Sequence, residues 1–288
     1  MERHTRSYLR LIKPGITVSN TLAGIAGFCL AASVVGWNWL AFMGVVCGIA
    51  LIIASACVVN NILDRDIDTR MKRTATREVA SGVISVPVAA VFAACVGAIG
   101  FVLLCVATNG LTLVLGGIAY IWYVVIYGIA KRTTALSTII GGVAGALPPV
   151  AGYTALTGSI DITALLLFWV LFFWQLPHFY AIAMFRRDDY ASAKLPVWSV
   201  RYGMKSAKFQ LFVTVVLYAV STALLGLYSS LGVTYFAVST GLSVYWVYKG
   251  VVLYKKSDDV AWAKAMFGVS LLVLMAMCAL ISVGGFLP

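Results

Sequence analysis

The sequence predicts an all-α polytopic membrane protein with nine transmembrane helices, built as one integral-membrane domain over 1–288. Three observations predict it. The mean hydropathy is +0.98, and 62% of the 288 residues are hydrophobic against 11% charged. The apolar residues fall into runs of about 20, the length a helix needs to cross a bilayer. The charges fall between these runs. So little chain remains outside them that a separate soluble domain has no room.

The runs lie at 15–36, 38–60, 86–106, 111–130, 135–156, 162–184, 209–229, 231–250 and 262–286. Most of the connections assigned outside are short. Span five carries Gly141, Gly142, Gly145, Ala146, Pro148, Pro149 and Gly152. Small residues let helices approach closely in lipid, and the proline pair is expected to kink the helix and widen a cavity beside it. Span six holds Pro177 next to His178. The connections assigned inside are long at about 61–85 and 185–208. They are separated by four spans, as in a diverged four-helix duplication.

The net charge of +11 raises the question of nucleic acid, and its distribution answers it. With the N-terminus inside, all 21 Lys and Arg fall on the cytoplasmic side. Arg3, Arg6, Arg10 and Lys13 lie in the first arm and Arg65, Arg70, Lys72, Arg73 and Arg77 in the first long loop. Lys131 and Arg132 end span four. Six more lie between Arg186 and Lys208, and the remainder are Lys249, Lys255, Lys256 and Lys264. The loops assigned outside hold one acid, Asp161, and no base. This is the positive-inside pattern, and nine spans put the C-terminus outside. The basic excess reports topology and an anionic lipid surface, with no nucleic-acid partner. The first apolar run is long enough to remain as a span, and no cleavable signal is evident. A bacterial inner membrane is the expected location. Cys29, Cys47, Cys57, Cys95, Cys105 and Cys278 form no CxxC and no Cys/His pairing, so they read as small hydrophobes.

The chemistry concentrates after span two, in Asn60-Asn61-Ile62-Leu63-Asp64-Arg65-Asp66-Ile67-Asp68. Asn60, Asp64 and Asp68 are spaced i, i+4, i+8, which puts them on one helical face. Carboxylates roughly 6 Å apart disfavour double ionisation unless a cation joins them. Oxygen ligands of this kind suit Mg²⁺, which takes one or two carboxylates plus substrate phosphates. Asp66 and Arg65 point off that face and read as a local, solvated pair. Arg73 and Arg77, again i, i+4, present guanidinium forks suited to phosphate, either of lipid headgroups or, beside the paired acids, of a diphosphate. Lys131 and Arg132 serve as topology anchors first and phosphate ligands second. His178 is one of two histidines, the other being His4 in the polar arm. Buried in a span, it satisfies a neighbouring carbonyl, acts as a base or ligates haem iron. His178 and Asp189 share a helical face if span six continues, eleven residues and roughly 16 Å apart. The aromatics around Trp122, Tyr123, Tyr127 and Phe172-Phe173-Trp174 read as packing, with faces that also stabilise a carbocation.

At these residues the chain resembles the intramembrane prenyltransferases of the UbiA superfamily, whose first signature, N-x-x-x-D-x-x-x-D, is present as Asn60-Asp64-Asp68. The likeness is narrower to the haem-modifying branch. It is carried by Asn61 to Asp68, Arg73-Thr74 with Arg77, Tyr127 with Lys131-Arg132, Gly145-Ala146-Leu147-Pro148-Pro149 with Gly152-Tyr153, Trp174-Gln175-Leu176-Pro177-His178-Phe179, Asp189-Tyr190 and Leu195-Pro196-Val197. One departure bears on the branch. Superfamily members acting on aromatic acids carry a second motif, D-x-x-x-D, at the later loop; here Phe185 stands four residues before Asp189. The resemblance implies a UbiA-like bundle with a cytoplasm-facing site, farnesyl diphosphate and haem B as substrates, and Mg²⁺ as cofactor. Asn60, Asp64 and Asp68 would hold the metal; Arg73, Arg77, Lys131, Arg132, Tyr127 and Asp189 would bind substrate; Asp64, Asp68 and His178 would act in catalysis. A haem A synthase or terminal oxidase is the implied partner protein. The competing readings are prenylation of a quinone precursor, which Phe185 and Pro177-His178 disfavour, and transport of amphipathic anions. Transporter sites sit near the bilayer midplane, whereas these acids lie at its edge.

Overall fold

The structure is a computed structural model and describes residues 2–254 and 257–287, with side chains from Arg6 onward. The side chains of Arg3 and His4, and Lys255 and Lys256, lie outside the described residues. Among those described there are nine helices long and apolar enough to cross a membrane. They are Pro14–Val35, Trp39–Leu63, Val86–Ala107, Gly110–Thr133, Ser137–Thr157, Ile162–Phe185, Gly203–Tyr228, Val233–Tyr254 and Asp259–Gly284, and are called spans one to nine. The chain is a multi-pass membrane protein.

The span ends are written in the sequence by capping residues. Asn38, Asn109, Asp161 and Asp258 each accept a hydrogen bond from the backbone N–H three residues on, at Ala41, Thr112, Ala164 and Ala261. This satisfies a donor that the first helical turn leaves open. Span seven starts at Gly203, six residues before the expected 209. Its first turns are amphiphilic, and Lys208 is kept there by an ion pair to Asp259 at 2.6 Å and by the faces of Tyr254 and Trp262.

Spans two, five and six are the most enclosed, and spans three, four and eight the most exposed to lipid. Span one lies along span five, span six contacts five, seven and nine, and span nine closes back on span one. The span one–five crossing is very close. A Cβ at Gly27 would run into the carbonyl of Pro149, and one at Gly152 into the carbonyl of Gly24. The glycines of span five therefore serve packing: Gly141 faces Tyr127, Gly142 faces Phe172 and Gly145 faces Gln175. Helical structure continues through Pro148, Pro149 and Pro177. Of the cysteines, Cys57 and Cys278 are buried, while Cys95 and Cys105 are exposed on span three, where the surrounding lipid accepts them as hydrophobes.

Candidate active site

Span two ends at Leu63, and Asp64 takes φ −91°, ψ 4°, a local break. The i→i+4 bonding nevertheless carries through it: Asp64 N–H donates to the Asn60 carbonyl at 2.9 Å and Asp68 N–H to the Asp64 carbonyl at 2.8 Å. The spacing thus survives the break. Asn60, Asp64 and Asp68 are all buried, whereas Arg65 and Asp66 between them are exposed.

Each member of this ladder meets a cation from a different part of the chain. Lys13 donates from Nζ to Asn60 Oδ1 at 2.7 Å. Lys131 donates to Asp64 Oδ2 at 2.6 Å. Arg77 Nη1 donates to both carboxylate oxygens of Asp68, each at 2.9 Å. Lys131 also lies over the Tyr127 ring, 5.3 Å from its centre, and Tyr127 stacks on Tyr123. One oxygen, Asp64 Oδ1, is buried with no hydrogen bond; Arg132 Nη2 lies 3.7 Å from it.

Lys13 was not among the expected site residues. As one of four bases in the arm before span one it is indistinguishable from a topology anchor. Two local features set it apart. It occupies the left-handed region, φ 50° and ψ 70°, which costs a side-chain-bearing residue energy and collects at functional positions. Its side chain is half-buried against Asn60, and burial pushes its amino pKa down to about 8 against the pull of nearby Asp64 and Asp68.

Arg132 and Asp66 correct the sequence reading. Asp66 pairs with Arg132, not with its neighbour Arg65. The guanidinium donates to both Asp66 oxygens at 2.8 and 2.9 Å and to the Leu63 carbonyl at 2.6 Å. These bonds from Arg132 hold the Asp66 carboxyl below its usual range. Arg132 therefore ties span four to the end of span two. The helical face expected for Arg73 and Arg77 also fails to form, because 69–85 is a run of turns. Arg77 reaches the ladder, while Arg73 is exposed and approaches Tyr190 electrostatically, as does Arg77.

The second loop closes over the first. Ser192 donates to the Arg70 carbonyl at 3.1 Å. Ile67 and Met71 share an apolar cluster with Ala183, Ala193, Leu195 and Val197. Asp189 is half-buried in the short helix Arg187–Ser192. Span six ends at Phe185 and Arg186 is its cap, so Asp189 does not share a helical face with His178. His178 faces span nine instead. Its Nδ1 lies 2.7 Å from Ser270 Oγ, and its ring sits between Trp174 and Phe267, at 5.2 and 4.8 Å between centres.

The residues fit a divalent ion of the hard, oxygen-seeking kind. Asp64 Oδ1 has a free lone pair in a buried position, and the other donors are carboxylate and amide oxygens. Among the described residues no group of three or more His, Cys, Asp or Glu gathers to hold a metal unaided, so the remaining ligands would be phosphate oxygens.

Comparison with known proteins agrees with this geometry. The profile of the UbiA prenyltransferase family matches residues 20–279. The chain belongs to the UbiA prenyltransferase family. Within it, the chain is 40% identical over 284 residues to the protoheme IX farnesyltransferase of Citrobacter koseri, covering 98% of this chain and 96% of that one. Among solved structures, digeranylgeranylglyceryl phosphate synthase superposes with a TM-score of 0.80 at 19% identity, covering 99% of each chain. A UbiA homolog from Archaeoglobus fulgidus bound to GPP and Mg²⁺ superposes with a TM-score of 0.72 at 17% identity, covering 96% of this chain and 99% of that one. These structural likenesses establish the UbiA fold of the bundle.

Proposed function

We propose that the chain transfers the farnesyl group of farnesyl diphosphate to the vinyl group of haem B, with addition of water, giving haem O and diphosphate. The observation that carries this reading is the meeting of the buried Asn60–Asp64–Asp68 ladder with Lys13, Lys131 and Arg77. It occurs in a chain similar over 98% of its length to a protoheme IX farnesyltransferase. Asp64 and Asp68, with Asn60, are the residues that would hold Mg²⁺. Bound there, the ion would neutralise the diphosphate and make it a better leaving group.

Lys13, Lys131 and Arg77 stabilise the charge that builds on the departing diphosphate. As the allylic C–O bond breaks, the stacked rings of Tyr123 and Tyr127 offer their faces to the farnesyl cation. A vinyl carbon of haem attacks that cation and forms the new C–C bond. Positive charge moves to the carbon beside the porphyrin, where water adds and releases a proton. His178 serves the haem half, as iron ligand or proton acceptor. Arg73 and Asp189, on the first and second long loops, would meet the substrate from the cytoplasmic side.

The same reading places the protein in a bacterial inner membrane, as one integral domain, with its N-terminus in the cytoplasm and its C-terminus in the periplasm. The restriction of Lys and Arg to alternate connections of the sequence supports that orientation. Product passing to a haem A synthase or terminal oxidase completes the proposal.

The test is incubation of purified protein with haem B, farnesyl diphosphate and Mg²⁺, followed by mass spectrometry. Haem carrying one farnesyl and one water is expected, with none formed when Mg²⁺ is chelated. Prenylation of 4-hydroxybenzoate in place of haem would overturn it.

A further inference from the structure

The contacts around His178 determine which ring nitrogen carries the proton. Ser270 Oγ makes two short polar contacts: 2.6 Å to the Phe267 carbonyl and 2.7 Å to His178 Nδ1. Each of these needs a proton between the heavy atoms, because two bare lone pairs at such distances repel. Serine has one proton to give, and a carbonyl has none. The serine proton therefore goes to Phe267, and the proton in the second contact comes from the ring. His178 donates from Nδ1. In the neutral ring this leaves a lone pair on Nε2, and among the described residues no protein group hydrogen-bonds that atom.

Ser270 is itself held in place. Trp174, one turn before His178, donates from Nε1 to the Ser270 carbonyl at 2.8 Å. Its ring lies against one side of the imidazole, nearly parallel at 28°, while Phe267 covers another. Spans six and nine are thus joined by two hydrogen bonds that fix both the ring plane and the atom that faces Ser270. An imidazole donating one N–H to a fixed oxygen is the usual way a protein orients a histidine whose other nitrogen meets a metal.

We propose that Ser270 is a positioning residue that holds His178 as the neutral Nδ1–H tautomer, reserving Nε2 for haem. The proposal rests on the reading of His178 as the haem-side residue, and its test separates the two. Protein labelled with ¹⁵N-histidine, in nanodiscs at mildly alkaline pH, reports the protonation of each ring nitrogen. The chain has two histidines, so His4→Gln assigns the spectrum. The wild-type ring of residue 178 is expected to be protonated at Nδ1 and bare at Nε2. Ser270→Ala removes the acceptor, so the ring shifts toward Nε2–H, the absorption spectrum of bound haem B changes and haem affinity falls about tenfold. The KM for farnesyl diphosphate stays at the wild-type value. Ser270→Thr keeps the hydroxyl and restores the tautomer and spectrum. A wild-type ring protonated at Nε2, or a Ser270→Ala ring still fixed at Nδ1–H, overturns the positioning role. If the tautomer responds as expected while haem binds His178→Ala with an unaltered spectrum and affinity, the haem-facing half is overturned and the tautomer assignment stands.

Discussion

Lys131 Nζ lies 2.6 Å from Asp64 Oδ2 across 67 residues of sequence, with both side chains buried. A buried ion pair of this kind is a costly way to gain stability. Its placement beside an oxygen with no partner, Asp64 Oδ1, points to chemistry instead.

Asp64→Asn and Asp68→Asn should each abolish product formation while the protein remains inserted and monodisperse. Each change keeps the size of the side chain and removes the charge that would anchor a divalent ion. Near-normal turnover of either variant at limiting Mg²⁺ would remove that residue from the ligand set.

The two arginines of the first loop should separate. Arg77→Ala removes the cation beside Asp68 that the proposed mechanism sets against the diphosphate, and a hydrogen bond to a charged group is worth about 1.5–3 kcal/mol. Its KM for farnesyl diphosphate should rise roughly tenfold or more, since 1.4 kcal/mol is a factor of ten. Arg73→Ala, at an exposed position, should change it several-fold less. Equal effects in steady-state kinetics would put Arg73 on the diphosphate alongside Arg77.

Asp66 and Arg132 should behave as a coupled structural pair. Their side chains are 53% and 37% exposed, so solvent screens the pair and its coupling should be about 0.5–1 kcal/mol. Thermal unfolding in detergent of Asp66→Asn, Arg132→Gln and the double variant measures it. A double variant whose loss equals the sum of the singles would mean the fork contributes nothing.

Topology is testable by single cysteines in a background without the six native ones. Positions 35, 160 and 230 should react with a membrane-impermeant reagent from the periplasm, and 80 and 194 should not. Reaction of position 80 from outside would invert the arrangement.

The spans were legible because hydropathy and length alone decide them, and the Asn60–Asp64–Asp68 ladder because its period matches a helix even across the break at Asp64. The cations opposite it were legible only in part. Lys131 stood beside a recognisable span end, but Lys13 looked like any arm base until its left-handed backbone and its bond to Asn60 were seen. The Arg132–Asp66 fork joins residues 66 apart, a distance over which no local period carries information. Arg73 and Arg77 were placed on a helix by spacing, yet the turns of 69–85 dissolve that face. The partner of His178 is a serine 92 residues away, and nothing in the serine's own neighbourhood distinguishes it from other small polar residues in spans.

The glycine crossing of spans one and five acts as a fulcrum. Gly27 touches Pro149 deep in the bilayer, and Lys13 hangs from the other end of the same rigid rod, 14 residues or about 21 Å away. A methyl group at residue 27 would prise the rods apart there, and a tilt of about 5° would swing the amino group of Lys13 by about 2 Å, out of reach of Asn60. Gly27→Ala should therefore weaken farnesyl diphosphate binding from a position no diphosphate approaches, and the damage would be read at the membrane surface.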